Sequence, residues 1–455
     1  MKTKIIVVLT LVTAFSLFAE APKNIILFIG DGMSTPQRMT AEEFSRKTGR
    51  GPLALNNLPF QATTRTCSAS SLVTDSAAAA TAIACGEKTS NGALGVDAQG
   101  KRLTSSAEVA KRAGKKVGIV TTVTINHATP SGFYAHRKSR GDSYGIGVDL
   151  LESNFDYFAG DRLSGHGDKK HKEYKGDIYE LAKKQGYTFI KNDLKAFKAL
   201  KPGADKVWFV ANDYPFSIDF ESANEKEAKY PTLAEMTAKG LELLKGSPKG
   251  FFMMVEGGKV DYAGHANDAA ANLRDLLALD DAVKVALDFQ KQNPDTLVVV
   301  TGDHETGGMT MGFQATGYNF YMDKLAGQRI SVDRFTNLVK AEKRVDFKTV
   351  KAMVEKNFKF DFNKDDWNTL EQDFLSDVDA EKHGRKENEA YDAKKLSKFP
   401  ATLKAIISHK CGIGWSSGAH TALPVLTTAS GPGAEAFHGF IDNTDIAKTL
   451  KSYIK

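Results

Sequence analysis

Two apolar runs in this chain each end in a cluster of metal-type side chains. Phe251-Phe252-Met253-Met254-Val255 leads into Glu256, Asp261 and His265, and Thr296-Leu297-Val298-Val299-Val300-Thr301-Gly302 leads into Asp303-His304-Glu305. Short unbroken apolar runs bounded by glycine read as buried strands. The polar groups then stand at and just past the strands' carboxyl ends, the edge where open α/β sheets gather ligands. Carboxylates and imidazoles together suit hard or borderline divalent cations. Two strands carrying such groups at the same end make a site, and function is argued from a site.

The rest of the chain supplies matching strands and helices. Asn24 to Gly30, ending at Asp31-Gly32, and Lys116 to Val123 read as further strands. Between them run helical patterns: Ser105 to Ala113, stopped by Gly114; Pro231 to Leu244, with proline in the first turn; and roughly Ala269 to Lys291, with Leu273, Leu276, Leu277, Val283, Ala286 and Phe289 on one face. This alternation predicts an α/β fold, a mainly parallel central β-sheet sandwiched by helices. From 314 to 410, charge-dense helical segments replace the apolar strand runs, and core-type sequence returns near Gly412. The expected organisation is one α/β domain of 22–313 and 411–455 carrying a helical or irregular insertion, 314–410. Within it, Asp361 to Asp366 faintly resembles a calcium loop, but the sixth-place glycine is missing and Gln372 stands where a bidentate Glu belongs. It reads instead as a helix-capping cluster.

Residues 1–21 carry a signal-peptide pattern: Lys2 and Lys4, the apolar stretch Ile5 to Phe18, and the small-x-small tripeptide Ala19-Glu20-Ala21. Export follows as the expectation, to the periplasm or outside the cell, with no membrane anchor. The formal charge of +6 is spread over 455 residues with Lys and Arg scattered among Asp and Glu. Nucleic-acid binding needs clustering that this pattern lacks. Three cysteines (Cys67, Cys85 and Cys411) contain no CxxC pair, which excludes thiolate-bound zinc. Cys67 and Cys85 either bridge or stay as small buried thiols.

A nucleophile candidate lies in Thr74-Asp75-Ser76, which opens the alanine run Ala77 to Ala82. Such a run is helical, so Ser76 stands at a helix N-terminus where free N–H groups favour an alkoxide and an incoming anion. A plain capping serine fits the same position, and only nearby metal ligands favour catalysis. Further on come His127-Ala128-Thr129-Pro130 and Ala135-His136-Arg137-Lys138-Ser139-Arg140. An arginine beside a metal pair suits bidentate binding of phosphate oxygens, although proximity alone does not choose among three basic residues. Gly418-Ala419-His420-Thr421 offers one more imidazole before a final strand.

In order, Asp31-Gly32, Val73 to Ala77, Ala128-Thr129-Pro130, Ala135-His136 with Ser139-Arg140, Glu256 with Asp261 and His265, Asp303-His304 and His420-Thr421 resemble the signature of alkaline phosphatases. The blocks cover the mature chain apart from 314–410. The resemblance implies two zinc ions and one magnesium per chain. Asp261, His265 and His420 would hold the first zinc; Asp31, Asp303 and His304 the second, with Ser76 as its reactive ligand; Asp31, Thr129 and Glu256 would reach the magnesium. Arg140 would clamp the phosphate, steadied by Asp75, and a phosphoserine would form on Ser76. Small phosphomonoesters of broad range are the implied substrates, with inorganic phosphate as product, and a homodimer is the implied assembly. Two positions depart from the best-known bacterial members: His127 stands where they carry Asp, and Tyr262 where they carry Lys. Both border the substrate site, and the imidazole raises the question of zinc in the third position.

Two other readings remain. A phosphodiesterase of the same superfamily ordinarily uses threonine as nucleophile and lacks the Asp-Ser and arginine blocks. A non-catalytic exported zinc-binding protein would need no serine at a helix N-terminus.

Overall fold

The computed structural model describes residues 21–222, 229–342, 344–379 and 390–454. The signal-peptide pattern lies outside them apart from Ala21. Strands follow in chain order as β1 (Asn24–Gly30), β2 (Phe60–Arg65), β3 (Lys116–Thr124), β4 (Tyr157–Asp161), β5 (Thr188–Lys191), β6 (Val207–Ala211), β7 (Phe251–Gly257), β8 (Thr296–Gly302), β9 (Glu305–Thr306), β10 (Met309–Met311), β11 (Ile413–Trp415), β12 (His420–Thr421), β13 (Val425–Ser430) and β14 (Gly439–Asp442). Ten of these make one sheet in the order β14-β2-β13-β8-β1-β7-β3-β4-β6-β5. Every neighbouring pair is parallel except those made by β13, which runs antiparallel to both β8 and β2.

The central strands β1, β7 and β8 are buried at every residue, as a parallel sheet covered on both faces requires. Side-chain alternation sends Ile26, Phe28, Met253, Val255, Val298 and Val300 to one face. There they meet Leu273, Leu276 and Leu279 of helix Ala269–Gln292. Ile25, Leu27, Phe252, Met254, Leu297 and Val299 go to the other face, against Ala77 and Ile83, Ala107 and Ala110, and Ile446 and Leu450. Each such large apolar side chain contributes about 2 kcal/mol when withdrawn from water. The two apolar layers fix the sheet in the middle, as the alternating pattern predicts.

The described residues of 314–410 include helices Val332–Ala341, Phe347–Asn357, Lys364–Asp377 and Lys398–Cys411, the last ending one residue beyond that segment. They pack directly on the core: Phe335, Phe374 and Leu403 belong to the same apolar cluster as Leu273 and Phe28. Asp268, which caps helix Ala269–Gln292, also accepts hydrogen bonds from Val332 N at 2.8 Å and Gln328 Nε2 at 2.9 Å. The Asp361–Asp366 stretch caps a helix, with Asn363 Oδ1 accepting from Asp366 N at 2.9 Å and Asn363 N donating to Asp366 Oδ2 at 2.8 Å. The helix expected from Pro231 begins instead at Leu233, because Thr232 and Glu235 form a reciprocal capping box that leaves Pro231 outside. The cysteines are free thiols. No helix among the described residues is long and apolar enough to cross a membrane.

Candidate active site

Strand register sets the site. Gly30 of β1 lies opposite Gly257 of β7 and Gly302 of β8, and Glu256 lies opposite Ile29 and Thr121. The carboxyl ends of β8, β1 and β7 therefore finish level, and β3 runs two residues farther. Asp303, Asp31, Glu256 and, just past β3, His127 and Thr129 emerge together there. Helix Lys259–His265 follows β7 at once and sets Asp261 and His265 one turn apart on one face. Pairing of β12 with β9 puts His420 opposite Thr306 and so recruits an imidazole from near the end of the chain. The layers can close only because residue 32 is glycine. Its φ is +71°, and a Cβ there would sit 2.7 Å from Thr306 Oγ1 and 3.0 Å from Asp261 Cα.

Three donor groups result: Asp261 with His265 and His420, Asp31 with Asp303 and His304, and Asp31 with His127 and Glu256. In the first, Asp261 Oδ1 lies 3.4 Å from His265 Nε2 and 3.6 Å from His420 Nε2. His265 Nδ1 donates to Gly418 O at 2.8 Å and His420 Nδ1 to Thr74 O at 2.9 Å, which turns both Nε2 lone pairs inward. In the second, His304 Nε2 lies 3.4 Å from Asp31 Oδ1, 3.2 Å from Asp303 Oδ2 and 3.1 Å from Ser76 Oγ. In the third, Thr129 Oγ1 donates to Asp31 Oδ2 at 3.3 Å, and His127 Nδ1 stands 3.8 Å from the same oxygen.

Ser76 is the first residue of helix Ser76–Cys85, whose residues are all buried. Asp75 does two jobs: Oδ1 caps that helix by accepting from Ala78 N at 3.0 Å, and Oδ2 accepts from Arg140 Nη1 at 3.1 Å. Arg140 Nη2 donates to His127 Nε2 at 3.2 Å. Of the other basic residues in that patch, Arg137 is engaged by Asp149, Asp142 and Glu173, and His136 lies between Gly95 O and Glu108. Tyr262 meets His127 edge to face, with ring centroids 5.8 Å apart.

The electrostatics call for cations. Asp31 and Asp303 are fully buried, and burial, reinforced by neighbouring carboxylates, holds both well above the ordinary carboxylate range. Glu256 is pushed up to about 7, chiefly by burial. Burial also depresses His304, with help from His420 and His265, so its ring is neutral and able to ligate. Asp303 Oδ2, Glu256 Oε1 and His127 Nδ1 are buried with no hydrogen-bond partner. Packed carboxylates with orphaned oxygens and inward imidazole lone pairs fit a cluster of divalent cations.

Sequence reading missed the supporting threonines. Thr306 Oγ1 donates to Asp261 Oδ1 at 2.6 Å and accepts from His304 Nδ1 at 3.2 Å, which ties the first donor group to the second. Thr121 donates to Glu256 Oε2. The alternation of β9 was the available signal, since Thr306 shares a face with His304. Glu305 points the other way and accepts from Gln37 Nε2 at 2.6 Å and from Gly308 N at 3.0 Å. It joins none of the donor groups.

Comparison with known proteins agrees with this geometry. The alkaline phosphatase family model matches residues 22–151 and 156–455. Alkaline phosphatase 3 of Bacillus subtilis (strain 168) is 32% identical over 433 residues, covering 94% of this chain and 88% of its own length. The structure of the cold-active alkaline phosphatase from the psychrophile Shewanella sp. superimposes with a TM-score of 0.79 at 30% identity, over 95% of this chain and 100% of that one. A histidine-to-aspartate mutant of TAB5 alkaline phosphatase, solved with Mg bound in its M3 site, has a TM-score of 0.67 at 26% identity, over 96% and 99% of the two chains. Sequence, sheet order and the level carboxyl edge thus converge, and the chain belongs to the alkaline phosphatase family of phosphate monoester hydrolases.

Proposed function

We propose that this enzyme hydrolyses phosphate monoesters of broad specificity through a phosphoserine on Ser76. One observation carries the proposal: Ser76 Oγ, at a helix N-terminus, lies 3.1 Å from His304 Nε2 and 3.5 Å from Asp31 Oδ1, inside a donor group. Asp261, His265 and His420 would hold one zinc, Asp31, Asp303 and His304 a second, and Asp31, Thr129 and Glu256 a magnesium, with His127 in reach of the last. Bound there, the cations would offset charge on the attacking and leaving oxygens of an in-line displacement.

Ser76 Oγ attacks phosphorus, the ester P–O bond breaks, and the alcohol departs. Water then cleaves the phosphoserine, giving inorganic phosphate and free serine. The helix N–H groups and the Arg140 guanidinium receive the phosphoryl oxygens, and Asp75 keeps that helix and that arginine in register with each other. Little in this scheme reads the alcohol, which supports broad specificity.

The same reading takes 22–313 and 411–455 as the catalytic domain with 314–410 as its cap. Export rests on the pattern from Lys2 to Ala21, and a homodimer rests on family resemblance alone. Acid quench during turnover of a radiolabelled aryl phosphate should trap label on Ser76. Faster cleavage of a diester than of the matching monoester would favour the phosphodiesterase alternative.

A further inference from the structure

The site's edge does not stop at β3. Next along the sheet come β4 and β6, and over their carboxyl ends lies a cavity of about 220 Å³ walled by Thr124, Asp161, Arg162, Asp213, Lys259 and Tyr262. Tyr262 is shared: it lines this cavity, and on its other side it meets His127, the residue that accepts from Arg140. Ligands in open α/β folds collect along this edge, and the cavity lies beside the candidate phosphate site with Tyr262 as the wall common to both.

The charges inside are unequally matched. Asp213 is paired with Arg162 Nη1, and Asp161 Oδ1 accepts from Arg162 N at 2.7 Å, with Oδ2 4.0 Å from the guanidinium. Lys259 has no such match. Its ammonium rests on two aromatic rings, 4.8 Å from the centroid of Tyr262 and 5.4 Å from that of Phe216. The ammonium makes no ion pair or hydrogen bond among the described residues, although the Lys259 backbone N–H donates to Thr122 Oγ1 at 3.2 Å. Burial holds the ammonium below the ordinary lysine range and outweighs Asp275, Asp161 and Asp333, which act on it from beyond ion-pair distance, so an anion arriving beside it is favoured.

We propose that this cavity receives the alcohol half of the substrate and prefers alcohols bearing a second anionic group, carboxylate or phosphate, which pairs with Lys259. The inference rests on the phosphomonoesterase reading and adds a preference to it. Thr124 and Tyr262 would form the floor and near wall of the subsite.

The test compares phenyl phosphate with para-carboxyphenyl phosphate, and adds an alkanediol bisphosphate to separate carboxylate from phosphate recognition. Lys259→Met should lower kcat/KM for the carboxyphenyl ester at least fivefold more than for phenyl phosphate, and Lys259→Arg should restore the wild-type ratio. Should the methionine variant fold poorly, Lys259→Gln keeps length and polarity and reads the same ratio. An equal fall on both aryl esters, or a ratio unchanged by loss of the charge, would overturn the subsite. Failure of the wild-type holoenzyme to hydrolyse any of the three esters would instead overturn the parent reading.

Discussion

The Nε2 atoms of His265 and His420 lie 3.2 Å apart, while both Nδ1–H groups are committed to backbone carbonyls. Two lone pairs therefore face each other beside Asp261 Oδ1, an arrangement that repels itself unless a cation lies between. Chelation should abolish phosphate-ester hydrolysis, and zinc with magnesium should restore it. Metal analysis of the active protein should give about two zinc per chain. Full activity after exhaustive chelation would remove the metal role.

Metal-stripped protein should also lose stability as pH rises. Asp31, Asp303 and Glu256 all sit above their unfolded values, burial being the first cause in each. The folded chain then holds protons that the unfolded chain releases near pH 4, so this stabilisation is complete below that pH and lost as pH passes the folded values. Glu256, raised from 4.5 to about 7, alone contributes about 3 kcal/mol to the difference. The melting temperature of stripped protein should fall from pH 5 to pH 8, and metal-loaded protein should not show that fall.

Ser76→Ala should cut monoester turnover by roughly a thousandfold or more and leave metal content unchanged, because three protein ligands remain in each zinc group. Steady-state kinetics paired with metal analysis reads both halves. Near-normal turnover would remove the serine from the mechanism.

Thr306→Val keeps volume and removes the hydroxyl that links Asp261 to His304. Outer groups of this kind are worth about 10- to 100-fold in metal affinity or activity. The variant should lose zinc faster to a competing chelator while its fold, monitored by circular dichroism, is retained.

His127 faces a conflict that its sequence position conceals. Its Nε2 accepts from Arg140, so the neutral ring carries its proton on Nδ1, the atom turned toward Asp31. Burial and Arg140 hold the ring neutral, with its pKa lowered to about 3. Ligation through Nδ1 would move the proton onto Nε2, against the guanidinium. His127→Asp removes that conflict and leaves an all-oxygen group suited to magnesium. The magnesium concentration giving half-maximal activation should fall by about tenfold, and a rise would show that the imidazole itself is a good ligand there.

The strands, the sheet class and the polar groups at the strand ends were legible because their signals are local. An apolar run ending in glycine and acid marks both a strand and the end where its polar groups emerge, as Val255-Glu256 and Thr301-Gly302-Asp303 illustrate. The alanine run after Ser76 likewise announces a buried helix and its N-terminus. Selection among equals was not legible. Nothing local separates Arg140 from Arg137, or Thr306 from Glu305; the choice came from ion pairing with Asp149 and from which face of β9 turns inward.

By itself, then, the sequence determined the layered α/β architecture, because burial and periodicity act over a few residues, while the candidate ligand set came from an ordered series of blocks that resembles the alkaline phosphatase signature. Only the tertiary structure decided that β8, β1 and β7 end level beside β3, that His420 crosses to His265, and that Lys259 rests on Tyr262's ring with no ion pair among the described residues. Register and long-range pairing join residues hundreds of positions apart, and such distances carry no local signal to read.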